Sequence, residues 1–217
     1  STNGTRVPIV PVAIGGVVIL VGSYFGGVEA IGVATALTVI GTLIWRLAEG
    51  AEGFVRDMSA GIFVTTYVPV LGAFVLLMAR EDDGPWRIVA FVGCTVASDT
   101  GGYIAGVIAG RHPMAPTISP KKSWEGFCGS LIAGMVAGAL IIRYGLDGPW
   151  WVGIVLGVAV VIMATLGDLS ESLVKRDLGI KDMGNLLPGH GGIMDRLDSL
   201  LAVAPICWLI LHLLVEA

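Results

Sequence analysis

Residues 150–177 read WWVGIVLGVAVVIMATLGDLSESLVKRD. No ionisable side chain occurs from Trp150 to Gly167, and about 20 apolar residues are enough to carry a helix across roughly 30 Å of hydrocarbon. A β-barrel strand would alternate polar and apolar residues over about 10 positions. This segment is apolar on every side for longer than that, so it reads as a membrane-spanning helix. Its end is different: Asp168, Glu171, Ser172 and Lys175 stand at i, i+3, i+4 and i+7 and share one helix face. Such a stripe cannot face lipid cheaply and must face a bundle interior or a wet cavity.

The rest of the chain follows that reading. Of its 217 residues 55% are hydrophobic and only 14% charged, with a mean hydropathy of +0.85, which places it among integral membrane proteins. Apolar spans lie at about 7–25, 28–45, 59–78, 86–108, 127–143, 150–173 and 195–215. The expected fold is an all-α polytopic transmembrane bundle of about seven spans in a single membrane domain, 1–217. Residues 1–97 supply apolar helices, and 98–217 form the catalytic half around a polar, cytoplasm-facing cavity. Small residues four apart (Gly22 and Gly26, Gly106 and Gly110, Gly134 and Gly138, Gly153 and Gly157) predict close helix packing. These glycine-rich faces are also compatible with a homodimer. Cys94, Cys128 and Cys207 stand singly, without the spacing of a zinc site or an evident disulfide pair.

Seven spans put the N-terminus and the loops 46–58, 109–126 and 174–194 on one side. That side carries Arg6, Arg46, Arg56, Arg111, Lys121, Lys122, Lys175, Arg176 and Lys181, against Arg80, Arg87 and Arg143 opposite. By the positive-inside rule the N-terminus is cytoplasmic and the C-terminus outside, in the cell (inner) membrane.

Four polar constellations follow. Asp99 sits inside VASDTGGYIAG, where an ionised carboxylate costs about 2.5–3.5 kcal/mol on insertion scales. The loop RHPMAPTISPKKSWEG resists helix at its prolines, and Ser123 is placed to cap the helix that follows. Lys121 and Lys122 precede that helix start, a setting that suits a phosphate, although two lysines alone favour a basic anchor at a lipid headgroup. On α-helical spacing the Glu171–Lys175 pair is favourable and leaves Asp168 available. Finally, Gly189, Gly191 and Gly192 surround His190, and Asp195 and Asp198 share a face of the last helix with Ser199. Carboxylates of this kind suit a hard cation such as Mg²⁺, which takes oxygen ligands and often only one or two carboxylates plus substrate phosphates. His190 suits a hydrogen-bonding or phosphate contact and, as the second choice, a general base. Arg196 points elsewhere, toward Asp99, Glu171 or a phosphate. Together these groups suit a polyphosphate with its metal.

The segment SLVKRDLGIKDMGNLLPGHGGIMDRLD, 172–198, resembles the signature of the phosphatidate cytidylyltransferases: a Ser, Lys-Arg, Lys-Asp, Pro-x-His-Gly-Gly and Asp-Arg-x-Asp, here Ser172, Lys175, Arg176, Lys181, Asp182, Pro188, His190, Gly191, Gly192, Asp195, Arg196 and Asp198. SDTGGY (98–103) and SPKKSWEG (119–126) resemble two further blocks of that family, with Gly102 in place of an expected Ala. The resemblance covers about 98–200 and implies cytidylyl transfer from CTP to phosphatidic acid, with Mg²⁺ and room for a second cation. It implies Asp168 and Asp195 as metal ligands, with Asp99 and Asp198 as further candidates. Lys121, Lys122, Lys175 and Arg176 would hold phosphates, and Ser119, Ser172, Lys181, Gly191, Gly192 and Arg196 would complete substrate binding. Members usually begin further upstream, so a truncated N-terminus is expected. No nucleic-acid partner is expected. The competing readings are a related enzyme acting on another lipid and a transporter of anionic phosphate compounds. A transporter would be expected to show polar interruptions in two related halves, whereas the polar residues here are confined to one half.

Overall fold

The computed structural model describes residues 5–180 and 194–215, with side chains at all of them except Lys121, Asp195 and Arg196. Two compact units divide at Asp82/Asp83. Six helical elements among the described residues are long and apolar enough to cross a membrane, as the all-α reading expects.

The seven expected segments are carried by six elements, because 7–25 and 28–45 lie in one, α1, Ile9–Leu47. That element is not straight. Gly27 has φ 71° and ψ −158°, a combination essentially restricted to glycine. A Cβ on Gly15 would strike the side chain of Thr38, although 23 residues of straight helix would separate the two by about 34 Å. The chain therefore doubles back at Gly27, and α1 is two packed arms.

The first unit continues with α2 (Phe54–Thr65), a π-helical turn (Thr66–Val70) and α3 (Leu71–Ala79). Pro69 lies inside the π turn; proline lacks the N–H of a regular helical bond, and a widened turn accommodates the loss. Arg46 and Asp57, which the sequence places in a cytoplasmic loop, are 2% and 1% exposed. Arg46 Nη2 lies 3.0 Å from Asp57 Oδ2 and also donates to the Glu52 carbonyl, while Asp57 Oδ1 accepts from the Arg6 backbone N–H at 3.0 Å. This clasp ties the α1–α2 connection and the N-terminal segment together, so Arg46 acts as a structural cation.

The second unit comprises α4 (Gly84–Ala109), an antiparallel hairpin of β1 (Pro113–Ala115) and β2 (Ser119–Ser123), α5 (Trp124–Gly145), α6 (Trp150–Asp177) and α7 (Met194–Leu214). The short hairpin is an addition to the all-α expectation, formed where prolines exclude helix. Helix α5 packs against both α4 and α6, and α6 against α7. The seams are backbone on backbone. A Cβ at Gly138 would strike the Gly153 carbonyl, one at Gly157 the Gly134 carbonyl, and one at Gly101 the Gly129 carbonyl, 2.8 Å away.

Replacing Gly153 with Leu should force α5 from α6 and lower the thermal unfolding midpoint in detergent, at a cost of about 1–3 kcal/mol or more. Gly32→Ala, where the added Cβ meets nothing within 4 Å, should leave the midpoint nearly unchanged.

Candidate active site

Helix α5 starts where two side chains reorganise the loop before it. Ser123 Oγ accepts from the Gly126 N–H at 3.1 Å, the expected cap. The Glu125 carboxylate accepts from the backbone N–H groups of Arg111 (3.1 Å) and His112 (3.3 Å) and pairs with His112 Nδ1 at 2.5 Å. Sequence reading passed over His112 and Glu125, because their pairing depends on the hairpin returning the chain to the α5 start.

So held, the hairpin faces a half-open cavity of about 230 Å³ lined by α4, α5, α6 and the hairpin itself. Its lining includes the polar side chains of Asp99, Lys122 and Asp168 and the rings and thioether of Tyr103, Phe127 and Met114. Close helix approach shapes the floor: Ser130 Oγ donates to the Ser98 carbonyl at 2.8 Å, and a Cβ on Gly102 would collide with that hydroxyl. The Gly at position 102 therefore makes room for Ser130.

Asp168 stays clear of the Glu171–Lys175 pair, as the helical spacing suggested, but meets a cation from another element. Lys122 Nζ lies 2.5 Å from Asp168 Oδ2, joining residues 46 apart in sequence. The Glu171–Lys175 pair forms as expected, with Lys175 Nζ 2.7 Å from Glu171 Oε2. Glu171 is 4% exposed, and its other oxygen, Oε1, has no hydrogen-bond partner among the described residues. Helix α7 comes in at Gly167, where a Cβ would meet the Asp198 carbonyl oxygen at 2.9 Å. That contact sets Asp198 close enough to Asp168 and Glu171 for their charges to interact, and Asp99 lies in range of Asp168, Asp198 and Lys122.

Three helices thus gather Asp99, Asp168, Glu171 and Asp198. Among the described residues no three His, Cys, Asp or Glu side chains converge on a single metal position. The donor set still fits a hard cation, since Mg²⁺ commonly takes one or two carboxylates and fills its shell with phosphate oxygens and water. Glu171, buried between Lys175 and Asp198, adds carboxylate charge that a nearby cation would stabilise.

Arg176 does something the sequence did not indicate: its Nε and Nη2 donate to the Ile118 carbonyl at 3.1 and 2.8 Å, strapping the hairpin tip to the end of α6. Ser119 and Ser172 are partly exposed on these same two elements. Lys181, His190, Gly191 and Gly192 lie outside the described residues, as do the side chains of Lys121, Asp195 and Arg196.

A bundle of membrane-length helices enclosing a carboxylate and lysine cavity at one end defines a polytopic membrane protein with a polar site suited to phosphate chemistry. Residues 2–214 match the sequence model of the Cytidylyltransferase family, and the chain belongs to that family. It is 42% identical to the phosphatidate cytidylyltransferase of Mycobacterium bovis, over 97% of this chain and 73% of that protein. The protein of the same name from Mycobacterium leprae is 43% identical over 97% of this chain and 73% of its own length. That of Haemophilus influenzae is 38% identical over 77% and 50%.

Arg176→Ala should loosen the hairpin by roughly 1 kcal/mol, a charged hydrogen bond discounted for its exposure. Hydrogen–deuterium exchange of the 113–123 amides should then run about five-fold faster, with exchange in the centre of α5 unchanged.

Proposed function

We propose that the chain transfers the cytidylyl group of CTP to phosphatidic acid, giving CDP-diacylglycerol and pyrophosphate. The observation that carries this reading is the 42% identity, along 97% of the chain, to a protein named phosphatidate cytidylyltransferase. The cavity agrees with it chemically: its lining combines Lys122, Asp99 and Asp168 with Tyr103, Met114 and Phe127, polar groups for a nucleotide and apolar ones for a phospholipid.

In this reading a phosphatidate oxygen attacks the α-phosphorus of CTP. The bond from that phosphorus to the bridging oxygen breaks, and pyrophosphate leaves with the electron pair. A phosphate monoester has a second pKa near 6, as phosphorylated side chains do, and is largely dianionic at neutral pH. The nucleophile needs no protein base, and alignment with charge neutralisation carries the rate. Lys122 and Lys175, with Lys121 and Arg196, would neutralise phosphate oxygens, and the α5 start, where Ser123 and Gly126 line the cavity, would offer N–H groups to one of them. The second donor face of Arg176 would serve the same phosphates while its first holds Ile118. Asp168 and Asp195 would hold Mg²⁺, with Asp99 and Asp198 next to them and room for a second cation. Once bound, the cation supplies charge neutralisation on the phosphates. His190 would contact phosphate rather than remove a proton. The site would face the cytoplasm, with the N-terminus inside and the C-terminus outside the cell (inner) membrane, as the distribution of Lys and Arg favours.

Purified chain given CTP, dispersed phosphatidic acid and Mg²⁺ should release pyrophosphate and CDP-lipid in equal amounts. EDTA and Asp195→Ala should each abolish both products. His190→Ala should be impaired less than Asp195→Ala; equal, total loss in both folded variants would contradict the base-free mechanism.

A further inference from the structure

The Lys122–Asp168 contact joins a cation to the carboxylate proposed above as a metal ligand. Both side chains are partly open to the cavity, with exposures of 26% and 34%. Lys122 also lies in charge range of Asp99. It immediately precedes the α5 cap residue Ser123, so its ammonium and the N–H groups that open α5 border the same space. An anion entering there meets both.

Formal charge sharpens the point. Among the described side chains gathered here, the carboxyl groups of Asp99, Asp168, Glu171 and Asp198 outnumber the ammonium groups of Lys122 and Lys175, a negative excess. A divalent cation would balance that excess, but at Asp168 it would have to share the carboxylate with an ammonium. Two cations a few ångströms apart repel strongly in a partly desolvated site.

Lysine's four-carbon stem lets its charge swing without backbone movement. The backbone beside Lys122 is itself held, through Arg176 and Ile118 at the hairpin tip and through Glu125 at its base.

We propose that Lys122 is a resident counter-cation of the metal site: its ammonium occupies Asp168 and leaves it for the nucleotide's phosphates, so the divalent cation binds weakly alone and tightly with the triphosphate. This rests on the placement of the metal at Asp168 in the preceding reading and assigns Lys122 two successive anionic partners. Metal and nucleotide then bind in a linked manner, each raising the affinity of the other.

The test is Mn²⁺ titration of the purified chain in lipid nanodiscs, read by electron paramagnetic resonance without nucleotide. Lys122→Met should bind Mn²⁺ about ten-fold more tightly than wild type, since removing the competing charge needs to contribute only about 1.4 kcal/mol for that change. Lys122→Arg, which keeps the charge, should stay near wild type, and Asp168→Asn should lose the site. Addition of α,β-methylene-CTP should raise Mn²⁺ affinity strongly in wild type and far less in Lys122→Met. Lys122→Gln repeats the comparison should the Met variant not fold. Equal or weaker Mn²⁺ binding in the uncharged variants, or no binding in any protein, would overturn the proposal. So would an equal gain in His112→Ala, because that change loosens the hairpin base without removing the Lys122 charge. Product formation by wild type without the Mn²⁺ shift would remove this inference alone. The Mn²⁺ shift without any CDP-lipid from wild type would instead remove the proposed activity.

Discussion

Close approach of helix backbones along glycine seams is the constraint on which the second unit depends. Lipid tails are as apolar as leucine, so no hydrophobic drive pulls membrane helices together, and packing must come from van der Waals contact at short range. Gly134 and Gly138 on α5 meet Gly157 and Gly153 on α6, Gly101 meets Gly129 across α4 and α5, and Gly167 meets the Asp198 and Ser199 backbone on α7. Each contact leaves no room for a side chain. The helices are thereby fixed in rotation as well as distance, and the polar faces of α4, α6 and α7 turn toward one another.

That rotation creates an electrostatic problem which the hairpin resolves in part. Several carboxylates close together in a partly desolvated space repel, and burial raises the cost of each charge. Lys175 meets Glu171 from within the same helix, whereas Lys122 reaches Asp168 from a different element. The hairpin is thus the arm that carries a cation into a carboxylate-lined cavity, and its position depends on three local devices. Ser123 caps α5, Glu125 gathers the preceding backbone, and Arg176 holds the tip. The first unit uses the same chemistry for a different end: Asp57 gathers Arg46, Arg56 and the Arg6 N–H into a buried clasp that organises a helix connection.

Local regularities explain which features were legible in the chain. Helical periodicity placed Glu171 with Lys175, and serine before an apolar run marked the α5 cap, because both involve residues within one or two turns. Gly27 shows where this reasoning weakens: the sequence indicated two spans around it, and only its positive φ, together with Gly15 against Thr38, shows the two as arms of one reversed element. The charge count that put Arg46 on the cytoplasmic side likewise gave no sign of its partners. A charge count treats every cation near a helix end alike, and only packing reveals that this one is buried against Asp57.

By itself, the sequence determined the membrane-spanning helical character of the protein, the concentration of its ionisable groups toward one end of the later helices, and its membership of the cytidylyltransferase family. Those properties reside in hydrophobic length, residue order and motif spacing, all of which are local or linear. Tertiary structure decided which charges meet: Lys122 with Asp168, Arg176 with the Ile118 carbonyl, Asp198 beside Glu171. Partners 46 or 58 residues apart share no periodicity. Their meeting is set by how closely glycine lets three helices approach, and that distance is a property of the folded bundle.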